Sequence, residues 1–500
     1  MVFVYIVCGL MITLIVKNSR TSILGADTYA LDMIDNVIRY PSEIAIAKEQ
    51  NIKLDEDLNV WDGWIRFLNK PKTMLPWFPT GLLGYVRSVL YSYNMPYKIN
   101  DERVRPPDNV PEVVGIPLRD YQLAAAKTSC MHGRGVLDMA PRSGKTRIAC
   151  EIQRRLATNT LWLAPTREIL KQTKRVLDTF FWEDYSYILT GKVSVEEAKK
   201  HQVVLCTPNT ATMLGSDFYE SRDCVIVDEF HRSAAKMYHS IFKNCDHIYY
   251  RFGMTGTFFR SGEDIMAMHA LISNTLYKVS SADLIDRGFL VPTHTVYLPV
   301  DGNLMVSKGA YQVAHGKHGI AEHVYRNQLV AQTAVLLNRT GRSVLILVNT
   351  KKQGRIIKDI LSGFYTEDYN PVEFVHSGTH EKVLRKTLNS FIDKGEVGIL
   401  IGTSVLGEGV DLPTADSLVY AMGQKAEVSL VQNAYRVGTA VEGKTHAILV
   451  DFADRHHKKL MEHSLERIRV FHNEPTFDIQ VLDHYSGFSS WLAKHMYTPY

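Results

Sequence analysis

Cysteine is scarce in this chain of 500 residues: six in all, at positions 8, 130, 150, 206, 224 and 245, with no Cys-x-x-Cys pair and none in the second half. That excludes a disulfide framework or a cysteine zinc site as the organising device and reads as reduced thiols of a cytoplasmic protein. Strong charge of one sign is missing too. The 57 Lys and Arg against 53 Asp and Glu leave a net charge of +4, which permits a nucleic-acid partner without identifying one. Low-complexity tracts and short repeats are absent, and 45% hydrophobic with 22% charged residues describes a globular chain with ample core material. The apolar stretch Met1 to Val16 has neither a positively charged start nor the about 20 apolar residues that a span requires. No membrane association is expected. Met11 to Val16 followed by Lys17-Asn18-Ser19 predicts a first β-strand and turn, with Met11 a candidate natural start and Met1 to Leu10 an upstream extension.

The length suggests about three domains. Pro106-Pro107-Asp108 and Pro111 predict a linker, hence a boundary near residue 112. Beyond it, apolar runs alternate with segments of helical period: Leu161 to Ala164, Val203 to Cys206, Cys224 to Val227, then Val344 to Val348, Gly398 to Ile401 and Ala447 to Val450. Continuous apolar strands between helices are what a parallel sheet buried on both faces demands. The pattern occurs twice, so the fold class is α/β with two parallel-sheet lobes. The expected division is a small α+β N-terminal domain at 1–112, a first lobe at 113–290, a Gly- and His-rich connector or insertion at 291–330, a second lobe at 331–455 and a helical tail at 456–500. Arg455-His-His-Lys-Lys459, around the start of that tail, reads as a solvated charged face.

Chemistry is concentrated first at Met139-Ala140-Pro141-Arg142-Ser143-Gly144-Lys145-Thr146. A strand ending near Met139 and a helix starting near Arg147 would aim backbone N–H groups and a helix N-terminus at one point, which suits a polyphosphate. Lys145 would hold the β- and γ-phosphates of ATP and the Thr146 hydroxyl would ligate Mg²⁺. The strict phosphate-loop pattern has Gly where this chain has Met139. The second half of the site is Asp228-Glu229-Phe230-His231, at the end of the apolar strand Cys224 to Val227 and with two further strands between it and the loop. Asp228 is placed to hold Mg²⁺ and Glu229 to polarise the attacking water.

With these motifs in this order, the chain resembles the superfamily 2 helicases over roughly residues 116 to 452. The resemblance implies two RecA-like lobes that bind ATP and Mg²⁺ and grip nucleic acid. Leu118-Arg119-Asp120-Tyr121-Gln122 is similar to that family's adenine-reading motif, which implies that Arg119 and Gln122 bind the nucleotide. Pro165-Thr166-Arg167 and Thr207-Pro208 are similar to the motifs that touch the nucleic-acid backbone, and Met254-Thr255-Gly256-Thr257 to the motif coupling hydrolysis to strand handling. In the second lobe, Asn349-Thr350 resembles another strand-contacting motif. Gly402-Thr403 through Gly407, Gly409, Asp411 and Pro413 resembles the one in which Thr403 meets a phosphate of the strand and Gly409 and Asp411 face the nucleotide.

The last helicase motif has the form Gln-x-x-Gly-Arg-x-x-Arg, and this chain has Gln432-Asn-Ala-Tyr435-Arg436-Val-Gly-Thr439. Gln432 and Arg436 match, which implies catalytic roles. Tyr435 replaces a Gly, and Thr439 stands where the family has a second arginine, one that commonly stabilises the transferring phosphoryl group by about 10³-fold or more. Trp61-Asp62-Gly63-Trp64-Ile65-Arg66, followed by Met74-Leu75-Pro76 and Thr80-Gly81-Leu82, resembles the small N-terminal domain of the UvsW-type phage helicases. That likeness implies DNA contacts from Trp61 and Arg66, forked or branched DNA as partner, and a role among phage or host replication and recombination proteins in the host cytoplasm.

Overall fold

The computed structural model describes residues 11–42, 62–109, 115–190, 195–230, 236–256, 262–302, 315–366, 370–393, 397–403, 406, 412–424, 428–474 and 476–496. The chain divides between Val279 and Ser280 into two compact units.

The first unit opens with the expected strand, Ile12–Val16, which turns through Lys17, whose N–H donates to the Arg20 carbonyl at 3.0 Å, into Arg20–Leu24. These strands sit in a four-stranded sheet between Trp77–Pro79 and a parallel edge strand, Tyr97–Asp101. Alternation puts Ile12, Leu14, Val16 and Ile23 inward, against Ile34, Val86 and Leu90 of helices Thr28–Val37 and Leu83–Ser92. This small α+β module shares a core with the lobe that follows. Ala270 belongs to the same cluster, Arg134 donates to the Asn18 carbonyl at 2.6 Å, and Arg251 donates to the Ser19 hydroxyl at 2.6 Å. It is packed as part of the first unit, through Ala270 and through arginine hydrogen bonds that have no helical or strand period.

The lobe's sheet has seven strands, all parallel, in the order Thr275–Val279, Arg134–Met139, Tyr250–Thr255, Cys224–Val227, Thr160–Leu163, Val203–Cys206 and Ser186–Ile188. The apolar strands are buried along their whole length, as burial on two faces requires. Between the phosphate loop and Asp228 stand three strands, not two: the short edge strand Ser186–Ile188 has no apolar run to announce it. The described cysteines are free thiols, and four of the five are buried.

The second unit holds another all-parallel sheet of seven strands, in the order Val372–Val375, Ile399–Gly402, Val344–Leu347, Ser417–Tyr420, Ala447–Asp454, Thr293–Val300 and Phe477–Val481. Two expectations change here. The segment 291–330 is no free connector, because Thr293–Val300 is a fully buried strand of the sheet and helix Val324–Arg339 begins inside it. The segment 456–500 is no purely helical tail, because Phe477–Val481 pairs with that strand. His294, Thr295 and Pro299 interrupt the first strand's apolar run, and Phe-Asp-Ile-Gln-Val alternates like an edge strand, so neither has the continuous signal of its neighbours. Among the described residues no helix is long and apolar enough to cross a membrane.

Candidate functional site

The phosphate loop starts at Met139, the last and fully buried residue of its strand. A glycine is unnecessary there because residue 139 is still extended. Beyond it, Ala140 N–H donates to the Val279 carbonyl (2.9 Å) and Ser143 N–H to the Ala140 carbonyl (3.2 Å), and Arg142 and Gly144 take left-handed φ of 69° and 83°. Gly144 is the N-cap of helix Lys145–Leu156 and offers no side-chain cap, so the first-turn N–H groups are directed at a ligand position. A Cβ on Gly144 would lie 2.3 Å from Gln122 Nε2. That contact sets Gln122 against the loop. Its Nε2 donates to the Ser143 carbonyl (2.7 Å) and its Oε1 accepts from Arg119 N–H (2.9 Å), while Tyr121 Oη donates to the same Ser143 carbonyl (2.8 Å). Gln122 therefore braces the loop with both ends of its amide. Arg119 in turn donates to Tyr121 Oη at 2.9 Å.

Asp228 and Glu229 follow the strand Cys224–Val227, separated from the phosphate-loop strand by Tyr250–Thr255 alone. Asp228 is buried, and its Oδ1 accepts from Glu229 N–H at 2.9 Å. Glu229 holds a left-handed φ of 49°, a strain of about 1–3 kcal/mol of the kind that collects at functional sites. Burial, then the neighbouring Glu229 charge, pushes the Asp228 carboxyl up to about 7, against the opposing pull of Lys145. A buried carboxyl group, a second carboxyl and an ammonium, both half-exposed, thus stand close enough to feel one another's charge, and that donor set fits a divalent cation, which would restore the ionised form of Asp228. Gly256 completes the pocket by its lack of a side chain: a Cβ there would lie 2.5 Å from Lys145 Nζ. His231 and Thr257 lie outside the described residues.

The expected strand contacts sit at the same, carboxyl end of each sheet. Thr166 caps helix Arg167–Phe180, accepting from Ile169 N–H at 3.3 Å, and Pro165 precedes it. Thr207 caps the adjacent turn, accepting from Thr210 N–H at 3.4 Å. Their strands are neighbours, so the structure brings Pro165, Thr166, Arg167 and Thr207 together. In the second unit, Thr350 caps helix Lys351–Ser362, and Asn349 Oδ1 accepts from Gln424 Nε2 at 2.7 Å. Thr403 follows Ile399–Gly402, which neighbours the strand leading to Asn349. The first pair puts two helix starts and their hydroxyls side by side, and the second one helix start beside Thr403, which suits a phosphate backbone.

Other expected residues fare differently. Arg66, an exposed residue, is paired with Asp35 at 3.0 Å and with Asp62. Trp61, Gly409 and Asp411 lie outside the described residues. Gln432 lies in helix Val428–Ala434, and Arg436, in the turn just after it, is buried with Nε donating to Asn433 Oδ1 at 3.1 Å. Tyr435, where a Gly was expected, is buried: its hydroxyl meets Ser281, Glu474 (3.0 Å) and Thr476 (2.8 Å). Thr439 forms a bridge with Leu290. Sequence reading missed the bracing residues of this unit. Arg326 and Arg467, fully buried, pair with Asp454 and Asp451 at 2.7 Å each, and Gln353 Nε2 joins Arg326 on the Ala421 carbonyl. No motif signals them, because their partners are distant in sequence.

Comparison with known proteins fits this geometry. Residues 115–260 match the type III restriction enzyme res-subunit family, and residues 327–440 match the helicase conserved C-terminal domain. The chain belongs to the superfamily 2 helicases. It is thus an ATP-hydrolysing helicase. This helicase is 21% identical over 460 residues to the ATP-dependent DNA helicase uvsW of Enterobacteria phage T4, covering 83% of this chain and 89% of that protein. In fold it resembles a putative HsdR subunit of a type I restriction enzyme from Vibrio vulnificus (TM-score 0.54, 19% identity, 75% of this chain and 70% of that chain). It also resembles the ATP-dependent Type ISP restriction-modification enzyme LlaBIII bound to DNA (TM-score 0.55, 15% identity, 82% of this chain and 36% of that chain).

Proposed function

We propose that this helicase uses ATP and Mg²⁺ to move on and remodel branched DNA, such as forks and junctions, in phage replication, recombination and repair. The observation that carries the reading is the layout of the first sheet. Lys145, Thr146, Asp228 and Glu229 stand at one half of its carboxyl edge, and the capped helix starts at Thr166 and Thr207 stand at the other. In this reading Lys145 holds the β- and γ-phosphates, Thr146 and Asp228 hold the cation, and Glu229 takes the proton of the attacking water. Mg²⁺, when bound, supplies the charge that offsets the phosphates. Gln432 and Arg436 serve hydrolysis, and the contacts at Thr166, Arg167, Thr207, Asn349, Thr350 and Thr403 are to backbone phosphates, so binding is sequence-independent and weakens steeply with salt. The likeness to the ATP-dependent DNA helicase uvsW over most of both chains supports DNA as the nucleic acid.

A second reading, translocation on duplex DNA without strand separation, is favoured by the match to restriction-enzyme motor subunits. Strand displacement on forks, measured beside triplex displacement on plain duplex, separates the two. Fork unwinding that vanishes in Lys145→Ala supports the first; triplex displacement with forks left intact would replace it by the second. Equal phosphate release from wild type and Lys145→Ala would sink both.

A further inference from the structure

In the second unit, three side chains from three separate segments converge on a place that ATP turnover does not use. His294 belongs to strand Thr293–Val300, Asp478 to the neighbouring strand Phe477–Val481, and His495 ends helix Phe488–His495. The parallel register sets His294 directly opposite Asp478, with Nδ1 and Oδ2 3.2 Å apart. The His294 and His495 rings meet with centroids 4.7 Å apart. One ligand-type atom from each of the three residues lies within 4.8 Å of the other two. Ligands held about 2.0–2.2 Å from a tetrahedral ion stand a little over about 3 Å from one another. The His294–Asp478 pair is already at that spacing, and the ligand atom of His495 stands within 4.8 Å of both.

The surroundings favour an ion over a mere hydrogen-bonded pair. His495 Nδ1 lies 2.8 Å from the Trp491 carbonyl, which can only accept, so Nδ1 carries the proton and the neutral ring keeps its lone pair on Nε2. A backbone carbonyl orienting the far side of the ring is the usual support of a ligating histidine. A further ring, His446, packs edge-on to His294 with centroids 5.3 Å apart, but its Nε2 accepts from Arg342 and its Nδ1 lies 3.0 Å from the Thr445 hydroxyl. It walls the cluster without being a ligand, and Asp416, 3.8 Å from Arg342, offsets the nearby positive charge. The His294 side chain is 7% exposed and that of Asp478 51%, so an ion can enter from the carboxylate side and keep a water as a further ligand.

The geometry points to a binding site for one divalent transition-metal ion of the zinc type, held by His294, Asp478 and His495. Two imidazoles and one carboxylate suit Zn²⁺ and similar ions, whereas Mg²⁺ prefers an all-oxygen shell. The ion staples strand Phe477–Val481 and helix Phe488–His495 to the sheet, bridging residues 184 positions apart.

The test is a Zn²⁺ titration of the full chain by calorimetry, in buffer holding excess Mg²⁺ so that the ATP site does not contribute. The expected result is about one Zn²⁺ per chain, at least about tenfold weaker in Asp478→Asn and His495→Gln and unchanged in His132→Gln, an exposed histidine of the first unit. Wild type that takes up no stoichiometric Zn²⁺, or variants that bind it as tightly as wild type, would overturn the proposal. Should both variants fail to fold, Co²⁺ spectra of wild type decide. Intense visible bands of a four-coordinate nitrogen–oxygen site support it, and the weak bands of the hydrated ion refute it.

Discussion

At the carboxyl ends of the two seven-stranded sheets, the functional loops are braced by different chemistry. In the first unit the brace on the phosphate loop is neutral: the Gln122 amide and the Tyr121 hydroxyl both donate to the Ser143 carbonyl. In the second unit it is ionic. Arg326 with Asp454 and Arg467 with Asp451 are shut away from solvent, and the two arginines donate onward to the carbonyls of Ala421 and Gln424. A loop that takes up and releases a polyphosphate is served by a neutral brace, since a fixed charge behind it would favour one of its states. A buried ion pair instead locks one arrangement, because breaking it leaves a charge uncompensated. Gln353 carries that rigidity to the Asn349–Thr350 turn: it accepts from Asn349 N–H at 3.1 Å while donating to Ala421.

The contrast breaks most readily at Arg467. Arg467→Met strands Asp451 in the core and should cost about 3–5 kcal/mol, read by equilibrium urea denaturation; a loss below about 1 kcal/mol would mean that the ionic brace holds little. Next comes Thr439→Arg, expected to raise DNA-stimulated phosphate release, with about 10³-fold as the ceiling. Unchanged turnover would put the limit on hydrolysis elsewhere than position 439.

A third test probes the buried charge of the first unit. Because the Asp228 pKa in the folded chain is raised to about 7, stability contributed by its protonated form is complete below the ordinary carboxylate value and lost as pH rises through about 7. Cation-bound nucleotide requires the ionised form. Its affinity should therefore fall as pH drops below about 7, by up to about tenfold per unit, in a fluorescent-nucleotide titration. Asp228→Asn should flatten that slope, and a pH-independent wild type would remove Asp228 from the site.

The smallest effect is expected for Gln122→Ala, about 1 kcal/mol, because Tyr121 still serves the Ser143 carbonyl. The ratio of ATP to GTP turnover should not change. Its collapse would support the adenine contact and show that the brace opens when nucleotide arrives.

The parts legible in the sequence share one property, which is that their signal is local. Met139 to Thr146 and Cys224 to Glu229 each place a strand end, a turn and the reactive groups within a few residues. The buried strands Val203–Cys206 and Ile399–Gly402 are apolar runs that need no partner to be noticed. The ion pair of Arg66 shows the opposite case: its partner Asp35 stands 31 positions away, so no local pattern announces it.

The sequence by itself determined the helicase family and the pair of parallel sheets, because these follow from motif order and from hydrophobic period. Tertiary structure alone decided that Gln122 supports the loop, that Thr293–Val300 and Phe477–Val481 extend the second sheet, and that Tyr435 is knitted to Thr476. It also decided that His294, Asp478 and His495 meet. Those outcomes depend on burial and hydrogen bonds between residues as many as 184 positions apart, and no window along the chain registers free energy of that kind.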